Sequence, residues 1–345
     1  MVTAPAESSP LEARVGHYYQ MAGTYLVGRE KLREYARAVQ DYHPAHWDVA
    51  AANALGYQDV IAPLTFTSAP GMQCNRRMFE EIVVGYDTYL QTEEVFEQHR
   101  PIVAGDELVI DVELTSVRRT AGRDFITVTN TFTDISTGER VHTLHTTVVG
   151  VTAEDIDAGV KVAVQNAMMH DMNILDIGGS DAAYRREERP EGEIRISDGG
   201  LTRTPGTASF EDVAVGDPLP THHTRLSRGD LVNYAGVAGD ANPIHWDEEI
   251  AKLAGLPDVI AHGMLTMGLG AGFVSSWSGD PGAVTRYTIR LSQPAIVSAK
   301  EGADIEYTGK VKSLDPETRS GVVLVGAKSA GRKIFGLTTV NMRFR

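Results

Sequence analysis

Hydrophobic and polar positions follow the same order twice along the chain. Apolar residues recur at helical spacing over 29–40 ("REKLREYARAVQ") and again over 228–239 ("RGDLVNYAGVAG"), which predicts an amphipathic helix in each segment. Short helices that end at a glycine should follow over 48–56 and 247–255. The segment 262–277 is apolar nearly all round, and this pattern predicts a helix that is buried on every side.

Strand-like runs follow the predicted helices in both series. They are rich in β-branched residues and bounded by turn residues. The predicted strands are 107–119, 124–135 and 140–151 in the first series and 283–295, 303–314, 320–330 and 333–344 in the second. A buried helix followed by several antiparallel strands suggests a sheet wrapped around that helix, so we expect an α+β fold.

The two series are copies of one unit. The phrase "YARAVQDYHPAHWDVAAAN" from Tyr35 returns without gaps as "YAGVAGDANPIHWDEEIAK" from Tyr234, a separation of 199 residues. A duplicated domain is the simplest explanation. We therefore predict one domain over 1–150, a second over 208–345, and between them, at 151–207, an acidic and glycine-rich linker that is partly disordered or lies on the surface.

Charge narrows the classes of partner. The net charge of −14 over 345 residues disfavours nucleic acid, which requires a basic surface. Residues 208–345 are nearly neutral, with 14 basic and 15 acidic side chains, so an acidic partner would meet least repulsion there. The polar N-terminus and the lack of a long apolar run predict a cytoplasmic protein with no signal peptide and no membrane span. The single cysteine, Cys74, is expected to be a packed residue in a reducing compartment.

Candidate chemistry lies in the second copy, at Asp240 and His245. These residues are five apart across an Asn-Pro turn, which can direct both side chains into one space. A carboxylate beside an imidazole can transfer protons and hold a water or hydroxyl, although a turn-capping Asp and a surface His would have the same spacing. Gly263 falls at the predicted start of the buried helix. Its N–H could stabilise an oxyanion there, although tight helix packing would also explain this glycine.

The combination resembles the hydratase-2 signature of the MaoC-like family, YxxxxGDxNPIHxD followed by AHGM. The matching residues are Tyr234, Gly239, Asp240, Asn242, Pro243, Ile244, His245 and Asp247. The second half is similar to the catalytic subunit of actinobacterial (3R)-hydroxyacyl-ACP dehydratases (HadB). The first half is similar to their partner subunit (HadA), through "GYQDVIAPLTF" and "PIVAGDELVIDV". The chain therefore looks like a fusion of the two subunits.

This resemblance implies a double hotdog fold, an internal pseudo-dimer that could dimerise further. It also implies reversible syn addition of water across a trans-2-enoyl thioester, without a metal or a redox cofactor. Carried over residue by residue, it makes Asp240 and His245 the catalytic pair, Asn242 a group that orients them, and Gly263, beside His262, the binding site of the thioester oxygen. The implied role is dehydration of (3R)-3-hydroxyacyl-ACP in fatty-acid elongation. Which member of the pair is acid and which is base is left open.

Three other functions fit parts of the sequence. Hydration of enoyl-CoA in fatty-acid degradation uses the same chemistry, although the similarity to synthesis subunits favours acyl carrier protein (ACP). A non-catalytic acyl-thioester-binding hotdog protein would not need a proton-transferring pair, and the hydratase signature disfavours a hotdog thioesterase. If ACP is the partner, its acidic surface should dock on basic residues of the second half. The candidates are Arg286, Arg290, Lys310 and Lys312.

The first copy retains Asp41 and His46, so it could form a second active site. Against this, His43 stands at the position of the signature asparagine, and Leu64 at that of the glycine, where its side chain would crowd a thioester. Pro70 falls within the segment that matches the buried helix and should kink it. We predict that this half is non-catalytic, shapes the acyl tunnel and supports its neighbour.

Two further patterns are set aside. Gly268, Gly270 and Gly272 form "GLGAG" inside an apolar helix with no strand before it, so a dinucleotide site is disfavoured. These glycines should instead leave room for packing or for an acyl chain. His142 and His145 lie three residues apart in a predicted strand, on opposite faces, and this placement disfavours a metal site.

Overall fold

The structure, a computed structural model, describes residues 11–152, 158–168, 184–196 and 208–345. The helices in these ranges are α1 (Arg29–Ala38), α2 (Val49–Ala54), α3 (Ser68–Arg77), α4 (Ala158–Ala167), α5 (Arg228–Ala238), α6 (Glu248–Leu253) and α7 (Gly263–Ser278). The strands are β1 (Tyr18–Met21), β2 (Tyr25–Leu26), β3 (Thr88–Gln98), β4 (Glu107–Thr120), β5 (Arg123–Asp134), β6 (Glu139–Val151), β7 (Tyr184–Arg186), β8 (Arg195–Ile196), β9 (Pro218–Leu226), β10 (Val284–Leu291), β11 (Ala303–Asp315), β12 (Ser320–Ser329), β13 (Arg332–Lys333) and β14 (Phe335–Arg343).

One sheet runs through both halves of the molecule. Its strands are hydrogen-bonded in the order β7-β1-β4-β5-β6-β3-β10-β14-β12-β11-β9, with β2 on β4, β13 on β12 and β8 on β6. The pairing is antiparallel except between β6 and β8. The halves meet where β3 pairs with β10, for example at Val95 and Thr288. Residues of β3 therefore lie beside the second half.

The repeat of sequence is also a repeat of contacts. The guanidinium of Arg29 pairs with Asp59, and 199 residues later that of Arg228 pairs with Asp258. The helix that precedes each signature loop lies in the same place in both copies, as α1 and α5. The duplicated segments thus fold alike, as a duplicated domain predicts.

The central helix of the second half, α7, is buried along most of its length, as predicted. At three of its glycines, side chains of other elements pack closely against the helix. A Cβ on Gly268 would lie 2.6 Å from Val39 Cγ1, and one on Gly272 would lie 3.2 Å from Asp41 Cγ; Gly270 is similarly enclosed. These glycines therefore serve packing and leave no room for an acyl chain. In the ranges described, no helix combines the length and hydrophobicity needed to cross a lipid bilayer.

The matching helix of the first half, α3, begins four residues later in the repeat than α7 does. Pro70 lies in its first turn, where backbone N–H groups have no partner inside the helix. Pro70 therefore belongs to the start of the helix instead of bending its middle, contrary to the expected kink. Cys74 of α3 is buried, and burial raises the pKa of its thiol to about 12, which agrees with a packed residue.

The segment predicted as a linker, 151–207, contains described structure. Besides α4 it contributes β7, which pairs with β1, and β8, which pairs with β6. The strands β7 and β8 extend the sheet of the first half. The rest of the predicted linker, 153–157, 169–183 and 197–207, lies outside the described residues.

Candidate active site

A tight turn after α5 positions Asp240. Gly239 caps the C-terminus of the helix, and its φ of 82° is in the left-handed region that glycine adopts at low cost. The backbone N–H of Asn242 donates to Asp240 Oδ1 at 3.3 Å, while Asn242 Oδ1 accepts the N–H of Ile244 at 3.3 Å. Asn242 thus orients Asp240 through its main chain and stabilises the turn through its side chain.

His245 lies at the end of the 3-10 turn Pro243–His245. Its Nδ1 is 2.8 Å from the carbonyl oxygen of Ile260, and because a carbonyl only accepts, Nδ1 carries the hydrogen. Burial lowers the pKa of His245, and the nearby Asp240 carboxylate offsets this only in part. His245 is therefore neutral near pH 7, with an unprotonated Nε2 that can accept a proton.

His262 completes a cluster with this pair. Polar atoms of Asp240, His245 and His262 all lie within 4.8 Å of one another. The His262 ring stacks on that of His245, with centroids 3.8 Å apart, and its Nε2 lies 3.2 Å from the backbone oxygen of Asp240. Burial, and then the neighbouring His245, lower the pKa of His262 to about 2. His262 therefore supports Asp240 while adding no positive charge beside His245.

These three groups fit a metal ion poorly. A histidine binds a metal through a lone pair in the plane of its ring. The two rings are stacked with only 28° between their planes, so their lone pairs run side by side. They do not converge on one ion at the roughly 2.0–2.1 Å of a zinc–nitrogen bond. The cluster is better suited to proton transfer.

Gly263 is the first residue of α7, as the sequence predicts. The N–H groups of a first helical turn have no acceptor in the helix and attract negative charge. A Cβ on Gly263 would lie 2.9 Å from Leu291 Cδ1 and 3.1 Å from Gln91 Oε1. A larger residue would therefore displace these neighbours, one of which comes from the first half.

Two polar residues of β3 approach this place, and neither was identified from the sequence. Gln91 Nε2 donates to Glu94 Oε2 at 2.6 Å and lies 3.6 Å from the sulfur of Met264. The Thr146 hydroxyl donates to Glu94 Oε1 at 2.7 Å. Glu94 is fully buried, and burial raises its pKa to about 8. The signal in the sequence was the run "TYLQTEEVFEQ", whose aromatic and β-branched residues are typical of a strand. Adjacent residues of a strand point to opposite faces, so one of the two neighbouring glutamates should point inward.

The corresponding pair in the first copy is closed. His46 Nε2 lies 3.2 Å from Asp41 Oδ2, and the two side chains are 0% and 1% exposed. Burial opposes charge on both groups, but their mutual attraction outweighs it, so the pKa of His46 is raised and that of Asp41 is lowered. The pair is a buried ion pair without access to solvent.

The residues that replace the signature groups fit this closed state. His43 Nδ1 accepts the N–H of Ala45 at 3.3 Å, the bond that the signature asparagine makes in the second copy. Its Nε2 lies 3.1 Å from the backbone oxygen of Gly279. Leu64 is buried and precedes α3, so it does not present the N-terminus of a helix.

The four basic residues predicted to dock ACP do not form one patch. Arg286 and Arg290 each pair with a glutamate of β3. Lys310 and Lys312 are exposed on β11, which β14 and β12 separate from β10. Three strand spacings amount to about 14 Å. Both arginines therefore lie beside acidic side chains of the first half, and docking of ACP on these four residues stays a prediction.

The two histidines of β6 differ in environment, as their odd spacing predicts. His142 is buried, with Nδ1 3.2 Å from the hydroxyl of Thr67. His145 is partly exposed, with Nδ1 2.8 Å from the hydroxyl of Thr129. They do not share a site.

Family models match both halves of this chain. Residues 13–144 match the family model of a FAS1-like dehydratase domain region, and residues 211–330 match that of a MaoC-like domain. A solved structure described as a MaoC-like dehydratase is 75% identical to this chain, with a TM-score of 0.91. The match covers 97% of this chain and 100% of the other.

Two further relatives bear on the family and on the fold. A UPF0336 protein of Saccharopolyspora erythraea is 41% identical over 144 residues, which are 41% of this chain and 92% of that protein. A Mycobacterium tuberculosis protein, described as having a double hotdog fold, is 13% identical with a TM-score of 0.58, over 95% of this chain and 96% of its own. The predicted double hotdog fold is confirmed. This chain belongs to the MaoC-like dehydratase family.

Proposed function

We propose that the protein dehydrates (3R)-3-hydroxyacyl thioesters reversibly to trans-2-enoyl thioesters, with acyl-ACP of fatty-acid elongation as its substrate. One observation carries this proposal: a neutral His245 lies beside Asp240, close to the N-terminus of α7. Membership of a dehydratase family supports the type of reaction. The thioester, its stereochemistry and its carrier are parts of the proposal.

In the proposed reaction the thioester oxygen accepts a hydrogen bond from the N–H of Gly263. His245 Nε2 takes the C2 proton, and the electrons of the C2–H bond form an enolate whose charge lies on the thioester oxygen. The imidazolium then gives this proton to the C3 hydroxyl. The C3–O bond breaks, the C2=C3 double bond forms and water leaves, so the enzyme ends in its starting protonation state.

Asp240 acts twice in this scheme. Its carboxylate accepts a hydrogen bond from the C3 hydroxyl and so holds it near His245. Its negative charge also stabilises the imidazolium, since it raises the pKa of His245 against the effect of burial. In the hydration direction the same two residues hold and activate the attacking water. His245 is thus the base and then the acid, and Asp240 is its electrostatic partner.

A spectroscopic assay tests the proposal by following hydration of trans-2-enoyl-CoA over a series of chain lengths, then of the matching enoyl-ACP. We expect turnover with both carriers and a higher kcat/KM with ACP. No turnover with any enoyl thioester would contradict the proposed function. Higher kcat/KM with CoA would favour a second candidate, hydration of enoyl-CoA in degradation, which the pairing of Arg286 and Arg290 supports because it leaves fewer free cations for an acidic carrier.

A further inference from the structure

A bulge in β3 brings two polar side chains onto one face. The pairing of β3 with β6 shifts register between Gln91 and Glu93. In a regular strand, residues three apart point to opposite faces, but a bulge adds one residue and re-aims the side chains beside it. Gln91 and Glu94 therefore meet, and the Gln91 amide donates to the Glu94 carboxyl at 2.6 Å.

The Gln91 amide borders the N-terminus of α7. Its Oε1 lies 3.1 Å from the place that a Cβ of Gly263 would occupy, and its Nε2 lies 3.6 Å from the sulfur of Met264. A thioether sulfur is a weak acceptor, so little is lost when the amide turns and its Nε2 leaves the sulfur of Met264. Gln91 and Gly263 are both partly exposed. An oxygen bound at the N–H of Gly263 is therefore within reach of the Gln91 amide.

Glu94 is buried, and no described residue supplies it with a counter-ion. Its hydrogen-bond partners, Gln91 and Thr146, are neutral. The titratable groups near enough to influence it are Glu93, whose side chain lies on the opposite face of the same strand, and Tyr35 on α1. A carboxyl group in such surroundings favours its neutral form. A neutral Glu94 has an O–H group. When the side-chain amide of Gln91 rotates by half a turn, its Oε1 faces Glu94 and accepts a hydrogen bond from this O–H. This turn directs the Gln91 NH₂ group toward Gly263.

We propose that Gln91 is a second hydrogen-bond donor to the thioester oxygen, and that Glu94 is a positioning residue that sets the direction of the Gln91 amide. The inference rests on the proposed function. It makes the active site a joint product of both halves, with Asp240, His245 and Gly263 from the second and the amide donor from the first. Loss of one oxyanion donor typically costs about 10²–10³ in kcat.

The first test replaces Gln91. In Gln91→Ala we expect kcat for enoyl-CoA hydration to fall about 10²-fold, because the donor acts mainly on the enolate, with KM and melting temperature little changed. Glu93→Gln is the matched control, since Glu93 lies on the outer face of the same strand and pairs with Arg290. It should keep wild-type kcat. Wild-type kcat in Gln91→Ala would overturn the proposal.

The second test separates the two forms of Glu94. Glu94→Gln keeps a neutral donor to Gln91, whereas Glu94→Ala removes it. Glu94→Gln should therefore retain activity at pH 7, and Glu94→Ala should lose activity as Gln91→Ala does. An ionised Glu94 accepts from the Gln91 amide and turns Oε1 toward the substrate, so wild-type kcat should fall as the pH rises through about 8. Glu94→Gln should lack this fall, and equal inactivity of both Glu94 variants would overturn the role of Glu94.

Two controls distinguish failure of this inference from failure of the proposed function on which it rests. If the wild-type enzyme turns over no enoyl thioester, the proposed function fails. If the wild type is active and Asp240→Asn is not, while Gln91→Ala keeps full activity, only the inference fails. Should Gln91→Ala not fold, Gln91→Met supplies similar volume without a donor. A folded Gln91→Met enzyme with low kcat supports the proposal, and one with full kcat overturns it.

Discussion

The same phrase of sequence forms a closed ion pair in one half and an accessible pair in the other. In both copies the imidazole Nδ1 lies 2.8 Å from a backbone carbonyl oxygen. In the first copy the other ring nitrogen of His46 is occupied by Asp41 at 3.2 Å. Between Asp240 and His245, both of which are described, the structure has no such ion pair, and their polar atoms lie within 4.8 Å. Only the second pair can place a hydroxyl between its members.

The difference comes from the helix that covers each pair. Gly272 of α7 lets the helix approach Asp41, since a Cβ there would lie 3.2 Å from its carboxyl carbon. At the matching position, 199 residues earlier, α3 has Gln73, whose amide nitrogen lies 3.2 Å from the Cβ position of Gly239. Asp240, next to that glycine, stays partly exposed. The neighbouring helix therefore decides whether the pair has access to solvent.

Protonation follows from the same surroundings. Beside a buried carboxylate, the pKa of His46 is raised and the ring is charged. His245 lies farther from its carboxylate partner, so the effect of burial dominates and the pKa of His245 is lowered. The loop sequence sets the geometry of an Asp–His pair, whereas the packing around it sets its charge and hence its chemistry.

The largest expected effect separates the two pairs by activity. Asp240→Asn and His245→Ala should each lower kcat by about 10²–10⁴-fold, the usual contribution of a general acid–base group, with melting temperature little changed. Asp247→Asn is the matched control, because the Asp247 carboxylate accepts the N–H of Ile250 as the N-cap of α6, and asparagine caps a helix equally well. Hydration assays and thermal denaturation measure both properties. Near wild-type kcat in Asp240→Asn or His245→Ala would exclude the proposed mechanism.

In the first half the same type of change should affect stability instead. Asp41→Asn or His46→Ala removes one partner of a buried ion pair, which should lower the free energy of unfolding by about 3–5 kcal/mol. The folded enzyme should keep its kcat. Urea denaturation and assays below the melting temperature of the variants measure this. If the folded double variant Asp41→Asn/His46→Ala loses most activity, or if Asp240→Asn keeps a large share of it, the first copy is catalytic.

Sequence patterns predicted those parts of the site that lie in one continuous segment. The turn through Asp240 and His245 and the helix start at Gly263 depend on contacts between near neighbours. The capping box that Ser227 and Asp230 form at the start of α5 is a contact of the same local kind. Local signals suffice here because each contact is made within a few residues.

The contribution of β3 could not be predicted in this way. Its run contains three glutamates, and a bulge interrupts the alternation, so no period-2 pattern marks its inner face. A buried Glu94 contradicts the general expectation that glutamate faces solvent. Its place beside Gly263 depends on the pairing of β3 with β10, a contact between residues nearly 200 positions apart. The strands β1, β2 and β9 were also missed, being short or, in β9, rich in polar residues and proline.

The expectation that the first half is non-catalytic rested on His43, Leu64 and Pro70. The structure adds a different physical reason, the closure of the pair by α7, which depends on Gly272 in the other half. That this half shapes the acyl tunnel stays a prediction.

A smaller effect is expected at the oxyanion position. In Gly263→Ala the new Cβ would press on Leu291 Cδ1 and Gln91 Oε1, and the displaced site should lose on the order of 10-fold in kcat. Adding Leu291→Ala should restore part of the activity, because it removes the nearest obstacle. Gly236→Ala, on α5 with no described atom within 4 Å of its Cβ position, is the control and should keep wild-type kcat. Full kcat in Gly263→Ala would show that the close approach is not needed.

The smallest expected effect concerns stability against pH, where the two histidines should act in opposite directions. The pKa of His46 in the folded state lies above its ordinary value of 6.5, so its stabilisation is complete below pH 6.5 and is lost as the pH rises through the folded-state pKa. The pKa of His245 lies below 6.5, so protonation favours the unfolded chain and stability falls as the pH drops below 6.5. His46→Ala should therefore cost more free energy of unfolding in mildly acidic than in alkaline buffer, and His245→Ala should cost less. Urea denaturation of both variants at the two pH values measures this, and a shared pH trend would show that the pairs do not differ in charge.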